Sequence, residues 1–261
     1  MAILLALAAP AVAARSEDGR PVPRLMSLGG DCVHCDLSTR KLAGAHFIGG
    51  DFRHASLVGS DLRGAMFMGS RFDNADFSHA GLQGANLAGA SFEQADFSAA
   101  ALQNAFAIGA VLAGANLRGA QAQNAQLQTV NLRLVDARGA RFDGAHMLGA
   151  EMQGGHFEKA SFKGADLSNA MMAGGHFAGA DFSGASLRGS NLTSTDLTHT
   201  RNLTREQLAQ ACSDHSTKVP SSLAAARGCA RTVIVFHLGR TFIPPAPPTP
   251  PAPPAAQTPP K

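Results

Sequence analysis

His156 and His176 stand 20 residues apart, and Asp136 and Asp196 continue the same spacing on either side. Brought together, two imidazoles bracketed by carboxylates would offer a transition metal a mixed nitrogen and oxygen ligand set, or would titrate as a coupled pair. The alternative is a polar ladder in contact with water. A second group is formed by Cys32 and Cys35 in "DCVHCDL". Redox use of a Cys-x-x-Cys pair relies on a helix start that lowers the thiol pKa, and no helix is signalled here. Haem attachment needs His directly after the second Cys, whereas Asp36 follows and His34 lies between. A local structural disulfide or an N-terminal cap is the plainer reading, and one metal-ligand pair alone argues weakly for zinc.

The elements that must position these residues are set by an unusual period. From Leu37 to Leu197 every fifth residue is Leu, Phe or Met, with only Ala107, Ala122 and Ala137 as exceptions. Five is neither the period of two that buries one face of a strand nor the 3.6 of a helical stripe. Two residues before each of these positions comes a small residue, nearly always Ala, as in Ala45, Ala85 and Ala165. The other three positions take Asp, Asn, Ser, Gln, Arg, Gly and His. An uninterrupted period over this length indicates a solenoid. The chain has no Trp and no Tyr, so its interior must be thin enough for Leu, Phe and Ala to fill, which argues against a broad enzyme core.

The phrase A-(D/N)-(L/F)-x-x, present as "GADLS", "GANLA", "GADFS" and "GANLR", resembles the pentapeptide repeat family over about 31–200. The resemblance implies an all-β fold, a right-handed quadrilateral β-helix with four pentapeptides per coil and about eight coils. Coils stacked at ~4.8 Å would extend roughly 40 Å. Residues 20 apart then stack, so Leu42, Leu62, Leu82, Phe142, Phe162 and Phe182 belong to one inward column. The same stacking would bring His156 and His176 to ~5 Å. Where Ala occupies the central slot, the enlarged Val130 and Val135 are expected to restore volume.

The ends read differently. Residues 1–13, "MAILLALAAPAVA", are expected to be a signal peptide ending in the small-residue pattern Ala11-Val12-Ala13, followed by a linker over 14–30. The apolar run is too short for a transmembrane anchor, which needs roughly 20 residues. After Leu197 the register breaks. Thr204 and Gln207 fit a capping box that starts a short helix through about Ala211. This stretch resembles the C-terminal cap of exported bacterial members of the family, and the cap is placed at 201–240. "RTVIVFHL" is expected to add a strand to it. Cys212 and Cys229 flank the cap as candidates for a disulfide. Residues 241–261 are dominated by proline and should form an extended tail.

Composition narrows the function. Residues 31–200 carry fifteen acidic and twelve basic residues, so no dense basic stripe for nucleic acid is present. No nucleophile, base and acid combination or phosphate loop occurs, and a filled solenoid leaves little room for a small-molecule substrate. No enzyme activity and no cofactor are expected. The leading expectation is an extracytoplasmic structural or protein-interaction scaffold, periplasmic or secreted, with a protein partner. The alternative implied by the resemblance is a DNA mimic that binds gyrase and protects it from quinolones. Mimicry of a duplex over about 40 Å would need about 24 negative charges, against a net −3 here.

Overall fold

The computed structural model describes residues 30–226, and each five-residue unit in it uses its backbone in one way. Within 96–100, three N–H groups leave the coil. Asp96 N donates back to Ala75 O at 2.9 Å, Phe97 N to Asn116 O at 2.7 Å, and Ala99 N to Arg118 O at 2.8 Å. A fourth closes the corner, with Ala100 N donating to Phe97 O at 3.0 Å. Residue 99, third in that turn, has φ +53°, the left-handed position of a type II turn. The fifth, Ser98 N, has no ladder partner and donates to Asp96 Oδ1 at 2.7 Å. The Asp or Asn of the repeat therefore satisfies the one donor the ladder leaves over. Asn86, Asp166 and Asn191 do the same for residues 88, 168 and 193.

Pairing is parallel and joins residues 20 apart, from Asp36 with Ser56 to Asp181 with Arg201. Four bridges per 20 residues, each a single residue long, make four short sides per coil. Beyond Arg201 the spacing slips to 21 and 22, as Asn191 pairs with Cys212 and Asp196 with Lys218. Helix α1, Arg205–Gln210, occupies the extra length, and a 3-10 helix follows at Ser221–Ala226. Thr204 and Gln207 form both halves of the capping box, with Ala211 at the C-cap.

The interior is a stack of flat layers. Leu42, Leu62, Leu82, Phe142, Phe162 and Phe182 are all buried. Phenylalanines in successive coils lie face to face, Phe77 on Phe97 at 4.8 Å and Phe157 on Phe177 at 5.1 Å. Within a coil they meet edge to face, as Phe47 and Phe52 do at 5.2 Å, so both favoured aromatic geometries are used. Val130 and Val135 are buried as well. They do not fill the section fully: an apolar cavity of about 20 Å³ remains, lined by Ala107 and Ala122 among others. Val135 is the inward neighbour of Ala137, while Ala105 and Ala120 stay small beside Ala107 and Ala122, which leaves the void at that level.

The expected signal peptide, the linker to residue 29, the strand at 231–238, the Pro-rich tail and Cys229 lie outside the described residues. Among the described residues no helix is long and apolar enough to cross a membrane.

Candidate protein-interaction surface

Each side offers solvent two slots, the residue before the central one and the residue after it, which lie on the same face because they are two apart. Opposite charges fill the two slots repeatedly. Arg53 meets Asp51 at 2.6 Å, Arg63 meets Asp61 at 2.7 Å, and Arg141 meets Asp143 at 2.9 Å. The Arg53 hydrogen bond holds the Asp51 carboxyl down at about 2. Arg63 and Arg138 hold Asp61 and Asp136 below the ordinary carboxylate range in the same way. These acids are neutralised within their own side, so they add little to any field felt by a distant partner.

The four residues considered for a metal occupy one column, with Asp136 bridged to His156, His156 to His176, and His176 to Asp196. The two imidazoles stack face to face, centroids 4.8 Å apart and planes 9° from parallel. Ligation requires the metal in the plane of each ring at about 2.1 Å from nitrogen, which parallel rings at this spacing do not allow. The carboxylates are engaged elsewhere. Asp136 accepts from Arg138 Nε at 2.8 Å and meets Arg118 at 3.2 Å. Asp196 accepts from Thr198 Oγ1 at 2.7 Å and lies 3.4 Å from Lys218. His156 turns its Nδ1 to Glu158, 3.2 Å away. Among the described residues no group of three or more His, Cys, Asp and Glu could hold a metal ion. In this structure the column presents stacked imidazoles between hydrogen-bonded carboxylates.

A second stacked pair, His34 and His54 at 4.7 Å, sits at a corner where both residues have positive φ. The 20-residue spacing was available to find it, but His79 takes a corner as well, so histidine at a corner gave no separate signal. Cys32 and Cys35 form a disulfide pair with Cα atoms 5.4 Å apart, at the first coil. Cys212 lies in the bridge with Asn191, after α1. The cavity at Ala107 and Ala122 has an apolar lining and is too small for a substrate.

Single-residue bridges, four sides per coil and parallel stacking define a four-sided parallel β-solenoid. The chain belongs to the pentapeptide repeat family: the family's model matches in eight copies, over spans running from 31–67 to 160–199. The right-handed quadrilateral β-helix is that family's fold. Among solved structures, HetL, a pentapeptide repeat protein involved in heterocyst differentiation regulation from the cyanobacterium Nostoc sp. strain PCC 7120, is 21% identical with a TM-score of 0.45. The match covers 77% of this chain and 95% of HetL. Full-length QnrB1, a plasmid-mediated fluoroquinolone resistance protein, is 20% identical with a TM-score of 0.35, covering 71% of this chain and 92% of that one. No curated protein matches the sequence.

Proposed function

We propose that this protein is a non-enzymatic protein-interaction scaffold that works outside the cytoplasm. The observation that carries the reading is how each repeat is used. Two of every five side chains fill the core, one forms the corner, and two face solvent, on several sides as an Asp and an Arg already paired with one another. Such a surface recognises by shape and by the pattern of side chains along a face, and the cavity beside Ala107 and Ala122 is too small to hold a reacting molecule. The "MAILLALAAPAVA" segment and the Cys32–Cys35 pair support the location, since disulfides persist in oxidising compartments. Acids neutralised by Arg two residues away do not reproduce the field of a duplex, which weighs against the gyrase alternative.

The test is intact mass of the native protein after cell fractionation, with and without reduction, followed by crosslinking in the compartment where it is found. A periplasmic or secreted species trimmed after Ala13, with Cys32 and Cys35 protected until reduced, supports the location. An untrimmed cytoplasmic species overturns it. Inhibition of gyrase supercoiling by submicromolar protein would replace the scaffold reading with the DNA-mimic one.

A further inference from the structure

One face of the solenoid differs from the other three. The sides starting at residues 46, 66, 86, 106, 126 and 146 contain no Asp, Glu, Lys or Arg, whereas each other face carries several charges over the same coils. Five of the eight large hydrophobic residues exposed on the described surface stand here: Ile48, Met68, Phe106, Ile108 and Leu148. Charge returns on this face only at Asp166 and Arg188, in the next two coils.

The edges of the face are also distinctive. Gly49, Gly69, Gly89 and Gly109 form one rim, and Gly44, Gly64 and Gly84 begin the other. The left-handed corner does not demand glycine, because His54, Gln94, Ala99, Leu134 and Lys159 occupy equivalent corners elsewhere. Over most of the six coils these rims leave little standing above the face to hold another flat surface away, with Asn104, Asn124 and Thr129 as the exceptions.

We propose that this face binds the same face of a second copy of the chain, antiparallel, about a two-fold axis between the third and fourth of the six sides. The uncharged stretch is self-compatible, since no like charges meet, and Asp166 and Arg188 overhang beyond it. In this register Ile48 faces Leu148 of the partner subunit, and the small Ala88 faces the partner's Ile108. The parallel alternative sets Phe106 against Ile108 and Asn86 against Ala88, ridge on ridge and gap on gap. At the centre of the contact, antiparallel pairing sets Phe106 against the partner's Asn86 and Ile108 against the partner's Ala88, large against small, and it makes an isologous contact that closes on itself. Six coils at ~4.8 Å give a contact roughly 29 Å long and one side wide, below the ~800 Å² per partner of a standard interface, so the dimer is weak and concentration-dependent.

Sedimentation equilibrium of the full chain, from about 1 μM to about 1 mM, reads this directly. The weight-average mass is expected to rise from 26.9 kDa towards twice that value. Ile108→Arg and Met68→Arg should each weaken association at least tenfold. Arg already occupies the same slot at Arg118 and Arg188, so folding is expected to survive, and an unchanged thermal midpoint confirms it. Ala178→Arg, on another face, should leave association intact. The register is tested by Ala88→Asp combined with Ile108→Arg: each alone weakens the dimer, and together they restore it by ion pairs across the two-fold. A chain monomeric at every concentration, or one whose association ignores Ile108→Arg, overturns the proposal. A double variant no better than the singles overturns the antiparallel register.

Discussion

The carboxamide of Gln207, three residues into helix α1's capping box, donates from Nε2 to the carbonyl oxygens of Phe182 at 2.7 Å and Ala185 at 2.8 Å. The same side chain accepts from Thr204 N through Oε1 at 2.7 Å. One residue thus closes the helix start and covers carbonyls of a coil below it. Gln207→Glu keeps the capping acceptor but sets a carboxylate against two carbonyl oxygens. It should cost about 1–3 kcal/mol, the range for leaving buried polar groups unsatisfied. The measurement is amide hydrogen exchange, with faster exchange expected in the coils after Phe182 and little change near Phe52.

Gly175 occupies an inward slot usually held by Ala, and its φ is not in the left-handed region. The reason for glycine is space: a Cβ there would lie 2.7 Å from Phe177 Cε2, and that ring is stacked on Phe157. Gly175→Ala should therefore destabilise by about 1–3 kcal/mol through overpacking. Urea unfolding would show it as a lower midpoint. An unchanged midpoint would mean that the Phe177 ring has another rotamer available.

The void beside Ala107 and Ala122 should respond in the opposite sense. At about 24 cal/mol per Å³, filling 20 Å³ is worth about 0.5 kcal/mol. Ala122→Val is expected to add about that much stability, read as a higher urea midpoint at unchanged slope. Phe162→Ala, in the same inward column, should cost about 3–5 kcal/mol.

Acid should weaken the fold within a defined window. The carboxyls of Asp51, Asp61 and Asp136 have lowered pKa values in the folded state, Asp51 at about 2 against an ordinary 3.8. Groups depressed in this way contribute stability that is fully present above the unfolded value and is lost as pH falls through the folded one. Thermal midpoints should hold steady from pH 7 to about 4 and fall between about 4 and about 2. Arg53→Gln should reduce that fall, and the effect is small because each pair is half-buried at the surface, where water and salt still screen it.

The repeat and its interior were legible because each five-residue side solves the same local problem. Its central residue must fill the core, its small partner must lie close to the axis, and Asp or Asn must accept the N–H that the ladder leaves free. Those needs recur at every side, so a single sequence shows them as a period. The metal reading shows where such inference stops. The column of Asp136, His156, His176 and Asp196 was visible from spacing. That Arg138 and Thr198 already engage the two carboxylates was not, because local side-chain pairing two residues away competes with contacts along the column.

By itself, then, the sequence determined the solenoid, its coil length through the family pattern, its buried positions and the capping box at Thr204. Tertiary structure decided what depends on closing the coil and on relative orientation. It set the slip of register beyond Arg201, the void at Ala122, the ring of Phe177 over Gly175 and the parallel planes of the stacked histidines. The physical reason is that burial in a repeat is imposed by local geometry and is written into residue type. The fit of one side chain against another from a neighbouring coil is a matter of ångströms that no period records.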